Sequence, residues 1–185
     1  MHLVRLIEAP LILTLALLAV ASALAQPASP APPPPARPAD VSSLEAIVAA
    51  VYDSISGPAG QARNWERFRS LFVPGARLIP STPKKEGGAE AQVLTVEDYI
   101  SRFGPRLEKA GFFEQEIARK VERFGTIAHV FSTYESRRTQ DGPVIARGIN
   151  SLELFWDGQR WWIVANLWDQ ERAGNPIPGE FLPRH

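Results

Sequence analysis

The spacing of apolar positions changes once along the chain. Between Val41 and Leu107 they recur every three or four residues, and after Gly111 they alternate. Leu44, Ile47, Val48, Val51, Tyr52 and Ile55 share one helical face. Ser42 with Glu45 offers a capping box ahead of them, and Val41 a staple residue. Gly57-Pro58 and Gly60 stop this first helix. Asn64 caps a second, with Trp65, Phe68, Leu71 and Phe72 as its buried stripe and Pro74-Gly75 at its end. Ala76–Ile79 reads as a short strand. Ser81–Ala91, centred on Lys84-Lys85-Glu86-Gly87-Gly88, reads as a mobile surface loop. Thr95 and Asp98 open a third helix with Val96, Ile100, Phe103 and Leu107 facing inward, which Gly104-Pro105 kinks or shortens.

Strands follow at Phe113–Phe124, Ile127–Arg138, Ile145–Trp156 and Arg160–Gln170, the last two joined by Asp157-Gly158, a two-residue hairpin signal. That turn pairs Leu154 with Trp161, Leu152 with Ile163 and Asn150 with Ala165, on a nearly apolar face expected under the helices. Asn150 is its polar exception, and Asp169 joins it where the strand runs out. The opposite face carries Ile149, Phe155, Trp162, Val164, Asn166 and Trp168, too aromatic for simple solvent contact, so a homodimer interface is expected there. Helices first and a strand meander second predict an α+β domain, three helices packed on one face of a curved antiparallel sheet.

The ends of the chain carry other signals. Residues 1–25 read as a secretory signal: Arg5 gives a basic start, Leu11 to Val20 an apolar core, and Ala23-Leu24-Ala25 a cleavage site. The apolar run of about 15 residues is short of the roughly 20 that span a bilayer, so no stable membrane span is expected after cleavage. Residues 26–40 form a Pro/Ala-rich linker through Pro27, Pro30, Pro32 to Pro35 and Pro38, which excludes helix and ladder. The domain proper is therefore 41–185, and its location secreted or periplasmic.

Composition removes whole classes of function. The 185 residues hold 20 Lys+Arg against 20 Asp+Glu, which argues against a nucleic-acid partner. With no Cys there is no disulfide framework and no thiolate metal site. His129 is the only histidine between the signal and the C-terminal residue, so no multi-histidine metal site can be built. Phosphate-loop, dinucleotide and nucleophile-elbow motifs are absent, and no cofactor is expected.

Two segments carry a resemblance. Trp65-Glu66-Arg67-Phe68-Arg69-Ser70-Leu71-Phe72 leading into Pro74-Gly75-Ala76-Arg77-Leu78, and Leu154-Phe155-Trp156-Asp157-Gly158-Gln159-Arg160-Trp161-Trp162-Ile163, are similar to the nuclear transport factor 2-like superfamily. That superfamily includes SnoaL-like cyclases, ketosteroid isomerases and scytalone dehydratases. The resemblance implies a cone-shaped fold with an apolar pocket under the helices and, in many members, pairing through the outer sheet face. It does not carry the isomerases' chemistry. Aligned on Asp157-Gly158, their acid position falls on Leu152 and their base position near Ile79-Pro80, and neither is a carboxylate.

Candidate chemistry rests on few residues. Asp169, His129 and Tyr52 are the catalytic candidates, as acid, base and hydroxyl donor. Their plainer roles are a turn cap, a strand hydrogen bond and core packing. Asn150, Trp65, Trp161 and Leu152 are the candidate ligand contacts. Tyr134 and Glu135 lie on opposite faces, Arg119 and Arg147 can attract an anion or pair with neighbouring acids, and Lys84–Gly88 can serve as a lid. The expected role is binding of a small apolar molecule in the cone. The alternatives are a cofactor-independent pocket enzyme of cyclase, dehydratase or hydrolase type, and an envelope protein-interaction module.

Overall fold

Pro38 is tolerated at the start of a helix because the first N–H groups there have no partner anyway. It opens a single turn, α1 (Pro38–Val41), inside the stretch expected to resist helix formation. A computed structural model describes residues 32–184; the signal expected over 1–25 and the first part of the linker lie outside them. Asp40, buried in α1, takes a two-pronged ion pair from Arg67, Nε at 2.8 Å and Nη2 at 2.9 Å. The guanidinium holds the Asp40 carboxyl below the usual range. The end of the linker is thus pinned to the domain.

Helix α2 (Leu44–Ile55) begins one residue later than the spacing predicts. Ser43 is the cap, its Oγ accepting the Ala46 N–H at 3.1 Å, while Ser42 closes α1. Asn64 caps α3 (Trp65–Arg69) through the Arg67 N–H at 3.0 Å. That helix is only five residues long, so Leu71 and Phe72 are buried beyond it. Phe72 begins β1 (Phe72–Pro83), and Pro74-Gly75 marks an irregularity within that long strand. The expected loop is a hairpin: Lys84 N–H meets Gly88 C=O at 3.1 Å and β2 (Ala89–Ala91) folds back on β1. The capping box of Thr95 and Asp98 is present in both directions and starts α4 (Val96–Ala110), which runs on through Pro105. Gly104 lets this helix approach α3 closely, since a Cβ there would lie 3.0 Å from the Trp65 indole.

The sheet is completed by β3 (Phe113–Phe124), β4 (Ile127–Arg137), β5 (Val144–Trp156) and β6 (Trp161–Gln170). Strand order is β2-β1-β6-β5-β4-β3 in a curved, open sheet. It is mixed and not wholly antiparallel, because β1 pairs with β6 in parallel. The core lies between α2, α3 and the concave face, with Ile47, Val48, Phe68, Leu71, Val130, Leu152 and Ile163 fully buried. Among the described residues no helix is long and apolar enough to cross a membrane.

The β5–β6 hairpin departs from the expected register twice. Asp157 Oδ1 accepts the N–H groups of Gln159 and Arg160, both at 2.8 Å, and so stabilises a longer turn in which Trp156 pairs with Trp161. Val164 is then an extra residue, since Leu154 pairs with Ile163 but Glu153 with Ala165. A slip of one residue exchanges the two faces of everything beyond it. Asn166 and Trp168 therefore turn toward the helices, and Leu167 and Asp169 away.

The outer face is partly covered by the chain itself. A 3-10 turn, Gly179–Phe181, lies on β4, where Thr133 Oγ1 donates to the Phe181 carbonyl at 2.6 Å and the Phe131 and Phe181 rings are 4.9 Å apart. Phe124, Ile127, Phe155 and Leu167 stay exposed beside it.

Candidate functional site

A cavity of about 390 Å³ separates the helices from the concave sheet face. Its apolar wall is largely aromatic. Tyr99 stacks on Phe68 at 5.3 Å, Phe103 is 5.0 Å from Tyr99, and Trp168 meets both Tyr99 and Phe103 edge-on at 6.0 and 6.4 Å. The bulge at Val164 places Trp168 there. Gly148 makes a second wall possible, since a Cβ on it would lie 2.5 Å from the Tyr134 hydroxyl.

Glu114, the second residue of β3, is the acid on this wall. Ser136 Oγ donates to its Oε2 at 2.8 Å. Burial destabilises the ionised carboxylate and raises the carboxyl to about 7, against the lowering effect of the Ser136 bond. Burial and this same carboxyl push the hydroxyls of Tyr52, Tyr99 and Tyr134 up, so all three stay protonated at neutral pH. Glu114 is absent from the sequence candidates because β3 carries charges on both faces. The signal that finds it is the pairing with β4: Glu114 lies opposite Ser136 and Glu116 opposite Tyr134, on the face where Ala128, Val130 and Ser132 are buried.

A line of buried hydrogen bonds runs from the wall into the protein. Asn166 Nδ2 donates to Asn150 Oδ1 at 3.1 Å, and Asn150 Nδ2 to the Tyr52 hydroxyl at 3.0 Å. Tyr52 lies 2.7 Å from Ser132 Oγ, which donates to Glu116 at 2.6 Å.

The sequence candidates separate. Asn150 is on the cavity wall as expected. Tyr52 is inside, but its hydroxyl is engaged by Ser132 and does not point free into the cavity. Asp169, expected on the helix side, is on the outer side of the bulged strand. It takes Arg172 Nη1 at 2.6 Å and the Gln170 N–H at 2.9 Å, as a cap of the following turn. His129 is also on the outer face, its Nε2 2.9 Å from Ser151 Oγ. Leu152 and Trp161 are core residues behind the cavity, and Trp65 is fastened by its Nε1 to Glu108 at 3.0 Å; none of the three lines it. Arg147 pairs with Glu171 and Arg119 with Glu116. The Lys84–Gly88 turn contributes nothing to the cavity wall. Among the described residues no group of three acidic or histidine side chains is placed to hold a metal ion.

No protein-family model matches the sequence, and no curated protein matches it either. Solved structures do. A Nostoc punctiforme protein of unknown function with a cystatin-like fold superposes with a TM-score of 0.54 at 10% identity, over 70% of this chain and 90% of that one. A provisionally assigned dehydratase of the nuclear transport factor 2-like family from Streptomyces avermitilis gives 0.52 at 14% identity, over 72% and 96%. The fold is the nuclear transport factor 2-like one. A Mycobacterium tuberculosis protein of unknown function matches it equally, at 0.52 and 14% identity over 74% and 75%. At such identities the likeness extends to the cone fold and not to its contents.

Proposed function

We propose that the cone binds one small molecule with a largely apolar body. The observation that carries this reading is the 390 Å³ aromatic cavity standing where a helix-on-sheet domain would otherwise close its core. Its size is that of a ligand site, and Glu114, Asn150 and Asn166 share its wall with Ser136, Gln170, Arg106 and Arg138, polar groups that would orient a ligand lying against the aromatic rings. The test is a titration with 4-propylphenol, a small apolar probe, followed by ligand-observed NMR. Saturable binding is expected, and Ala146→Trp, which fills the cavity from its own wall, should abolish it. Binding that survives this substitution places the probe elsewhere and sinks the reading.

A specific observation favours a second reading, a cofactor-independent pocket enzyme of the cyclase, dehydratase or hydrolase type. A carboxyl raised by burial to about 7 on the wall of a cavity gives and takes a proton at neutral pH. Under this reading Glu114 exchanges the proton with the bound molecule. Glu114→Gln then keeps binding and loses turnover of whatever compound is recovered with the protein.

The export signal and linker read from the sequence of residues 1–40 support a secreted or periplasmic protein. The uncovered apolar residues Phe124, Ile127, Phe155 and Leu167 support pairing of two copies through the outer face, with contact to a different envelope protein as the competing outcome.

A further inference from the structure

The buried hydrogen bonds behind the cavity can run in only one direction. The Glu116 carboxylate, held by Arg119, accepts, so Ser132 gives it its hydroxyl proton. A hydroxyl has one proton, so Ser132 must accept from Tyr52. Tyr52, its proton committed, accepts in turn, and only the NH₂ end of the Asn150 amide can supply that bond. Asn150 then presents its Oδ1 to Asn166, which must answer with Nδ2. The orientation of the Asn166 amide is therefore imposed by an acid four residues along the line. The leftover group is Asn166 Oδ1, buried and without a partner, on a residue that is only 7% exposed and belongs to the cavity wall.

A buried acceptor with no donor is rare and costly, and in a native protein it calls for one. We infer that Asn166 Oδ1 is the recognition point for a hydroxyl of the ligand, so that the cavity selects apolar-bodied alcohols or phenols over the corresponding ethers and hydrocarbons. This rests on the ligand-binding role proposed above. It adds a polarity: the line from Glu116 dictates that the wall accepts at this point and the ligand donates. An ether or carbonyl oxygen placed there would face a second lone pair with no proton between them. Asn150 cannot relax the rule by rotating, because its reversal would set its oxygen against Tyr52, whose proton is already given away.

The experiment compares three probes of one shape on the wild-type protein: 4-propylphenol, 4-propylanisole and propylbenzene, titrated by ligand-observed NMR. The phenol is expected to bind at least about tenfold more tightly than the other two. Asn166→Leu should bring all three within about threefold of one another while the anisole still binds. Tyr52→Phe frees Asn150 to turn and should narrow the preference without abolishing binding; it serves if the leucine variant does not fold. Equal affinity for the three probes in the wild type overturns this inference and leaves the ligand-binding reading standing. Binding of none of them counts against that reading itself.

Discussion

Glu114 ties stability to pH in an unusual sense for a carboxyl. Its value is about 7 in the folded chain, against an ordinary 4.5. Between those two values the folded state holds a proton that the unfolded chain has released, so stability falls as pH rises through this window and is level below it. From pH 5 to 8 urea denaturation should record a loss on the order of 2–3 kcal/mol from this residue. In Glu114→Gln that part of the slope should vanish, leaving the variant the more stable protein at pH 8. A variant that follows the wild-type slope would show that the carboxyl is solvated. Glu114 was not legible in the sequence because β3 alternates charge with charge, and the inward face is decided only by its partner strand. Asn150 was legible, as a lone polar residue on an apolar face. Asn166 was assigned the wrong face for the same reason that Asp169 was: neither the four-residue turn held by the Asp157 side chain nor the extra residue at Val164 has a compositional mark.

At the scale of elements, the helices were read from caps and periodicity, and Thr95–Asp98 and Asn64 stand where the spacing put them. What local pattern could not supply is the set of contacts that fastens helix ends to one another. Arg63, 5% exposed, does much of this. Its guanidinium donates to the carbonyls of Ile55 at 3.0 Å, Gly57 at 2.7 Å and Leu107 at 2.7 Å, joining the ends of α2 and α4. Burial pulls its pKa down, but the accepting carbonyls leave it no other role than donor. Arg63→Met keeps the aliphatic stem and strands those carbonyls. It should cost about 3 kcal/mol in chemical denaturation, on the scale of a few buried acceptors left unpaired. A cost under about 1 kcal/mol would mean that water replaces the guanidinium. Asp40 makes the matching argument for the linker. Asp40→Asn should release α1 and lower stability by roughly 1 kcal/mol, which denaturation at low and high salt would measure.

For the whole molecule, the two segments that carry the resemblance lie in α3–β1 and the β5–β6 hairpin, the parts that define the cone. They were sufficient for the fold and supply Phe68, Phe72 and Leu78 to the cavity wall, but they were silent about its polar residues, since Glu114, Ser136, Asn150 and Asn166 come from β3, β4, β5 and the far side of a bulge. The outer face is a related case. Its aromatic content was visible in the strand pattern, while the cover supplied by Phe181 depends on a tail that carries no periodic signal. If pairing uses the part left open, Phe155→Glu should convert a dimer to a monomer in light scattering with the cavity's probe affinity unchanged. A wild-type protein that is monomeric at all concentrations removes the dimer and turns attention to a different protein as the partner of this face.

The most direct measurement is native mass spectrometry of the protein purified from its own cells, paired with the same sample denatured. A filled cone predicts a native mass above that of the chain, and on denaturation the release of one small compound that dissolves in organic solvent and carries a hydroxyl. A native mass equal to that of the bare chain, together with no saturable binding of 4-propylphenol, would contradict it.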